Sequence, residues 1–145
     1  LGMSRGLGDV YKRQVFITHD LDEAVRVGHR IAIMRDGRVV QIGTPEEIVV
    51  NPSDDYVADF VKGISRLKVV QAKTIMQPLE QYKKNFGENL SNNEKVNEND
   101  ILSKLIETSV SKDKPIVVVN DHNTEVGIIT QSDLLKAVVE GNENE

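Results

Sequence analysis

The sequence predicts an α/β protein, on three observations. Short β-branched runs at 15–17, 31–34, 39–42, 116–119 and 126–129 alternate with segments whose apolar residues recur at helical spacing. Turn-forming Asp-Gly and Asn-rich clusters separate them. The chain has 145 residues, 39% apolar and 4% aromatic without tryptophan, enough for one modest core or two small ones. A complete nucleotide-driven motor would not fit.

Charge narrows the class further. Eighteen Lys+Arg stand against 23 Asp+Glu, a formal net charge of −5 that argues against a nucleic-acid-binding module. Cysteine is absent, which excludes a disulfide scaffold, a thiolate metal site and a Cys nucleophile, and suits a reducing compartment. The longest apolar runs are about four residues against the roughly 18 to 20 needed to span a bilayer, so no transmembrane segment is expected. The charge divides into +2 over 1–14, −4 over 15–63 and −3 over 64–145, and three sections follow from it.

The first section, LGMSRGLGDVYKRQ, shows neither a helical nor a strand period, and its three glycines weaken any helix. A glycine-rich phosphate loop would need Gly-Lys-Ser/Thr, which occurs nowhere in the chain. Residues 1–14 therefore read as a non-native or artefactual segment joined to a truncated gene, with no function assigned.

In the second section, 15–17 (VFI) is expected to be a buried strand, which would place His19 where ligands sit in open α/β sheets, at the carboxyl edge. Asp20 and Glu23 open a helix whose stripe is Leu21, Ala24, Val25 and Gly28. The runs at 31–34 and 39–42 flank Asp36-Gly37, a hairpin signal. Thr44, Pro45 and Glu47 read as cap, first-turn proline and third-position acid of a short helix stopped at Asn51-Pro52. A last helix, opened by Ser53 or Asp54, carries Tyr56, Val57, Phe60 and Val61 on one face and closes at Gly63.

The order VFITHD, helix, RIAIMRDGRVVQIGTPEEI and NPSDDYVADFV resembles the C-terminal end of an ABC-transporter nucleotide-binding subunit, nearest the glycine betaine/proline osmoprotectant type. The resemblance covers 15–63. It implies the end of a P-loop ATPase fold in which His19 is the switch histidine, meeting the ATP γ-phosphate and holding the attacking water. Imidazole chemistry agrees, because one nitrogen can bond a phosphate oxygen while the other orients a neighbour. A strand-end histidine is otherwise a common structural residue. The phosphate loop, glutamine loop, signature motif, metal-binding aspartate and water-polarising glutamate of that family would lie upstream of residue 15. On this reading 1–145 alone does not hydrolyse ATP. His29 stands where the family usually has an acid and reads as an exposed surface residue. Asp20, Asp22 and Glu23 read as helix-start acids, and no metal site is assigned.

In the third section, 64–79 reads as a linker and a leader ending in Thr74-Ile75-Met76-Gln77-Pro78. From 80 to 99 there are six asparagines, which reads as a loose insert; Leu79, Tyr82, Phe86 and Leu90 nevertheless have helical spacing, most simply a packing stripe. Asp100 is expected to cap a helix with Ile101, Leu102, Leu105 and Ile106 inward; strand, turn, strand and a final helix carrying Leu134, Leu135, Val138 and Val139 follow. Residues 141–145 read as a disordered tail.

This helix–strand–turn–strand–helix order resembles a single CBS motif over 80–140, so the whole reads as an ABC ATPase end followed by a small α/β CBS unit. Its most informative stretch is Gly127-Ile128-Ile129-Thr130-Gln131-Ser132-Asp133. The resemblance implies that the Thr130 hydroxyl meets phosphate and the Asp133 carboxylate meets ribose. Thr130 and Asp133 also have the spacing of a capping pair, and both readings stand. Lys112 and Lys114 could face phosphate or be merely solvated, and His122 is assigned nothing. One CBS motif by itself is expected to leave an apolar sheet face uncovered, which predicts pairing across a homodimer.

The resemblance further implies ATP with Mg as cofactor of the longer protein, an adenine nucleotide or cyclic dinucleotide at the CBS unit, transmembrane permease subunits as partners, and a cytoplasmic place at the inner face of the cell membrane. Two rival readings are a non-enzymatic adenine-nucleotide sensor and an ATPase for another amino acid or a polyamine.

Overall fold

The computed structural model describes residues 13–87 and 89–140. The expectations for 1–12 and for the tail 141–145 lie outside the described residues. Among those described, no helix is long and apolar enough to cross a membrane.

The first part begins with helix α1 (Leu21–Val27), capped by the Asp20 side chain on the Glu23 amide and closed at Gly28. Strands β1 (Ile31–Arg35) and β2 (Arg38–Gly43) pair antiparallel. Their turn carries φ values of 50° at Asp36 and 74° at Gly37, both in the left-handed region. A two-residue hairpin turn whose twist matches the strands requires this, hence Asp-Gly. Helix α2 (Pro45–Val50) opens on a full capping box between Thr44 and Glu47, and helix α3 (Asp55–Val61) is capped by Asp54. Ile31, Ile33, Ile48, Val57 and Val61 form their common core. Of the stripe expected on α3, Val57 and Val61 are buried, while Tyr56 stacks on Phe60 at 6.2 Å between centroids and takes the Arg35 guanidinium on its ring.

The strand expected at 15–17 does not form. Residues 13–18 carry no regular structure and Val15, Phe16 and Ile17 are 90%, 66% and 96% exposed. A strand is stabilised by ladder bonds and cover on both faces, and no described strand lies beside this one.

A short helical turn (Arg66–Lys68) leads to helix α4 (Ala72–Ile75) and the two-residue strand β3 (Gln77–Pro78). Then come α5 (Leu79–Phe86), β4 (Lys95–Asn97), α6 (Leu102–Ser111), β5 (Ile116–Val119), β6 (Glu125–Ile129) and α7 (Gln131–Val139). The four strands lie in the order β3-β6-β5-β4, with β4 parallel to β5 and the other pairs antiparallel.

Alternation along β5 sends its side chains to two cores. Ile116 and Val118 join Val96, Ile129, Leu102, Leu105, Leu134 and Ala137 on the α6/α7 side. Val117 and Ile128 join Leu79, Tyr82 and Leu90 on the other. The apolar sheet face expected to lack a cover is therefore covered from within the chain, by α5 and Leu90. The asparagine-rich stretch hides this, since only Leu79, Tyr82 and Leu90 of its stripe are buried and Phe86 stays exposed.

Asp100 does not cap α6. Its carboxylate accepts from the Asn97 amide and pairs with Lys104, while Ile101 holds the cap position with no side-chain bond. The first amide of the helix, that of Leu102, donates to Val70 O at 2.8 Å, and the carboxylate is taken up by the preceding turn.

Candidate functional site

His19 is exposed on a bend between the irregular residues 13–18 and α1. Three contacts hold that bend. The Thr18 hydroxyl donates to Glu23 Oε2 at 2.7 Å, the Asp20 amide donates to Thr18 Oγ1 at 3.0 Å, and the Glu23 amide donates to Asp20 Oδ1 at 3.3 Å. The acids at the helix start are thus engaged in fixing the backbone around His19. An exposed imidazole on a backbone held this way suits contact with a terminal phosphate oxygen. His29 is exposed as well, beyond the end of α1.

The second candidate set sits at the start of α7. Thr130 and Asp133 form a reciprocal capping box: the Asp133 amide donates to Thr130 Oγ1 at 3.2 Å, and the Thr130 amide donates to Asp133 Oδ2 at 2.9 Å. The Thr130 hydroxyl donates to the same oxygen at 2.9 Å. Gln77 completes the set, its side-chain amide reaching Asp133 Oδ1 at 3.0 Å and Oδ2 at 2.8 Å. Sequence reasoning missed Gln77. Nothing in a separation of 56 residues signals the contact; the pairing of Gln77 with Ile128 across β3 and β6 creates it. A ribose hydroxyl approaching Asp133 would compete with that amide.

Gly127 has a packing reason for being glycine. A Cβ there would fall into the Met76 side chain, 2.8 Å from its Cγ. The site residues Thr130, Asp133 and Gly127 are brought together by β6 and the start of α7, while His19 stands on the separate bend before α1. Lys112 pairs with Glu94, Lys114 is exposed, and the amide of His122 bonds the Asn120 side chain within the turn.

Glu125 lies beside two lysines, Lys95 and Lys83. Its hydrogen bond from Lys95, 3.0 Å away, foremost, with the charges of Lys95 and Lys83 assisting, holds the carboxyl below the usual glutamate range against a smaller opposing effect of burial.

The sequence has its relatives among ATP-binding proteins of transport systems. It is 56% identical over 72 residues to the glycine betaine transport ATP-binding protein OpuAA of Bacillus subtilis, covering 50% of this chain and 17% of that protein. Over 127 residues, 88% of this chain and 35% of the relative, it is 38% identical to the trimethylamine N-oxide transport system ATP-binding protein TmoW of Pelagibacter ubique. Over 61 residues, 42% of this chain and 15% of the relative, it is 59% identical to the glycine betaine/proline betaine transport system ATP-binding protein ProV of Escherichia coli. No protein-family model matches the sequence.

The class these relatives define is the ATP-binding subunit of ABC transporters, and the mixed α/β architecture agrees with the C-terminal part of one. More particularly, this chain is homologous to part of the ATP-binding subunits of glycine betaine and related quaternary-amine transport systems. It spans about a third or less of the length of these relatives.

Proposed function

We propose that residues 15–63 are the C-terminal end of the ATP-hydrolysing subunit of an importer for glycine betaine/proline-type osmoprotectants, and that 80–140 form one regulatory CBS unit behind it. The observation that supports this most is the 127-residue match at 38% identity, too long to lie within either section alone. It favours the transport ATPase over a free-standing nucleotide sensor.

In this reading His19 meets the γ-phosphate of ATP, and the groups that would hold Mg and the other phosphates belong to parts of the ATPase other than these residues. The contribution of these residues is positioning: Thr18, Asp20 and Glu23 hold the bend so that the imidazole faces the phosphate with little reorganisation. The whole assembly comprises two ATPase subunits and permease subunits at the inner face of the cell membrane. Thr130 and Asp133, with Gly127 allowing close packing beneath them, would hold an adenine nucleotide or cyclic dinucleotide once Gln77 yields its place.

The test has two arms. The part of this chain that matches the Pelagibacter ubique relative is grafted in place of that relative's aligned segment, and ATP hydrolysis is measured with and without His19→Ala. A loss of about 100-fold or more in kcat is expected from removing a phosphate-facing donor, and a change within about twofold would overturn the role of His19. In the second arm the melting temperature of the 145-residue chain is followed with AMP, ATP and cyclic di-AMP. A rise that Asp133→Ala abolishes and Gln77→Ala enlarges supports the CBS site, whereas no rise with any of the three overturns it.

A further inference from the structure

Helix α1 has seven residues and none of them is fully buried. A helix this short does not hold itself together in water, so its stability is owed to what it packs against. Its apolar residues Leu21 and Val25 each touch two cores: the one beneath the β1–β2 hairpin and the one on the α6/α7 side of the four-stranded sheet. Helix α2 is shared in the same way through Val49, and Glu46 accepts from the Gln71 amide at the entry to α4. Between α1 and the sheet unit runs an open cleft of about 690 Å³, lined by Asp20, Asp22, Val25 and Arg26 on one side and Lys68 and Ile101 on the other. The seat of α1 is thus contact through Leu21 and Val25 beside an open cleft.

From this seat we infer that α1 is a strut through which the sheet unit controls the bend carrying His19. The bend is fixed by the first turn of α1, through the Thr18–Glu23 bond and the Asp20 cap. The last supports of α1 include the core of the sheet unit. Loosening or shifting that core removes part of the seat, α1 frays, and the bend loses the contacts that orient the imidazole. A tight sheet unit keeps the bend ordered. The inference rests on the role of His19 for its consequence in catalysis, but the mechanical coupling stands or falls independently of it.

Hydrogen exchange of the whole 145-residue chain tests the coupling. The reporters are the amides of Ala24, bonded to Asp20 O at 3.1 Å, and Gly28, bonded to Ala24 O at 2.8 Å. Leu105→Ala, fully buried in the sheet unit, is expected to speed exchange at both by at least about tenfold, and Val25→Ala to speed exchange at Leu102, whose amide bonds Val70 O. Val27→Ala, on the exposed side of α1, is expected to leave Leu102 unchanged. If Leu105→Ala unfolds the sheet unit outright, persistence of protection at Ala24 and Gly28 overturns the strut, and its loss supports it. The milder Leu105→Met is expected to give a smaller change in the same direction. Unchanged rates at α1 in both Leu105 variants, or at Leu102 in Val25→Ala, overturn it. Loss of activity in His19→Ala without any exchange coupling would leave the function standing and the strut refuted.

Discussion

The two strand systems of this molecule bury their residues differently. In the β1–β2 hairpin one face holds Ile31 and Ile33 in the core, while Met34, Val39 and Ile42 are each about half exposed. In the four-stranded sheet every residue of β5 is buried, because α6 and α7 cover one face and α5 with Leu90 the other. A two-stranded ribbon is marginal by itself and needs helices beneath it, here α2 and α3. The comparison shows that the four-stranded sheet is covered on both faces from within the chain, whereas the hairpin leaves one apolar face open; in the sheet unit the open apolar residues lie on α7 instead, where Leu134 and Ala137 are buried but Leu135 and Val139, expected to point inward, are exposed.

That contrast can be broken by substitution. The largest effect is expected from Leu102→Ala, fully buried on the closed side of the sheet, which should cost about 2–5 kcal/mol in denaturant unfolding. Met34→Ala on the open face of the hairpin should stay within about 0.5 kcal/mol. Equal costs would show that the hairpin face is as well covered as the sheet.

An intermediate effect is expected where the leader crosses β6. Gly127→Ala drives a Cβ into Met76 and should cost about 1–3 kcal/mol by overpacking. Met76→Ala should recover most of that loss in the double variant, read as a coupling between the two substitutions in unfolding midpoints. Additive losses would mean that Gly127 is required for another reason.

The smallest effect concerns pH. Because Lys95 and Lys83 hold the Glu125 carboxyl below the usual range in the folded state, the stabilisation is present above the unfolded value and lost as pH falls through the folded one. The Glu125 side chain is 33% exposed, so the effect should be under about 1 kcal/mol. Glu125→Gln should flatten the acid limb of the stability curve by that amount and leave the neutral-pH fold intact.

Where a structural decision is local, the sequence shows it directly. Asp36-Gly37 announces a turn with positive φ at both centres, and Thr44 with Glu47 announces a capping box; both form as read. The Thr130–Asp133 pair is legible for the same reason, since its partners stand within one helical turn. Residues 15–17 misled because β-branched residues state a preference that only neighbouring strands can satisfy. Asp100 misled because its carboxylate serves the preceding turn while the Leu102 amide is satisfied by the distant Val70 carbonyl. The three anchors of the second sheet face, Leu79, Tyr82 and Leu90, were visible as a stripe, but the asparagines between them concealed their purpose.

The sequence by itself therefore determined the hairpin and the caps at Asp20, Thr44, Asp54 and Thr130, because each rests on spacing over a few residues, while the α/β class came from the alternation of runs along the chain and the His19 candidate from a resemblance over 15–63. Only the tertiary structure decided that Gln77 meets Asp133, that α5 closes the sheet, and that Leu21 and Val25 join two cores. Those contacts link residues tens of positions apart, and they depend on how strands pair and helices dock. No local pattern encodes that.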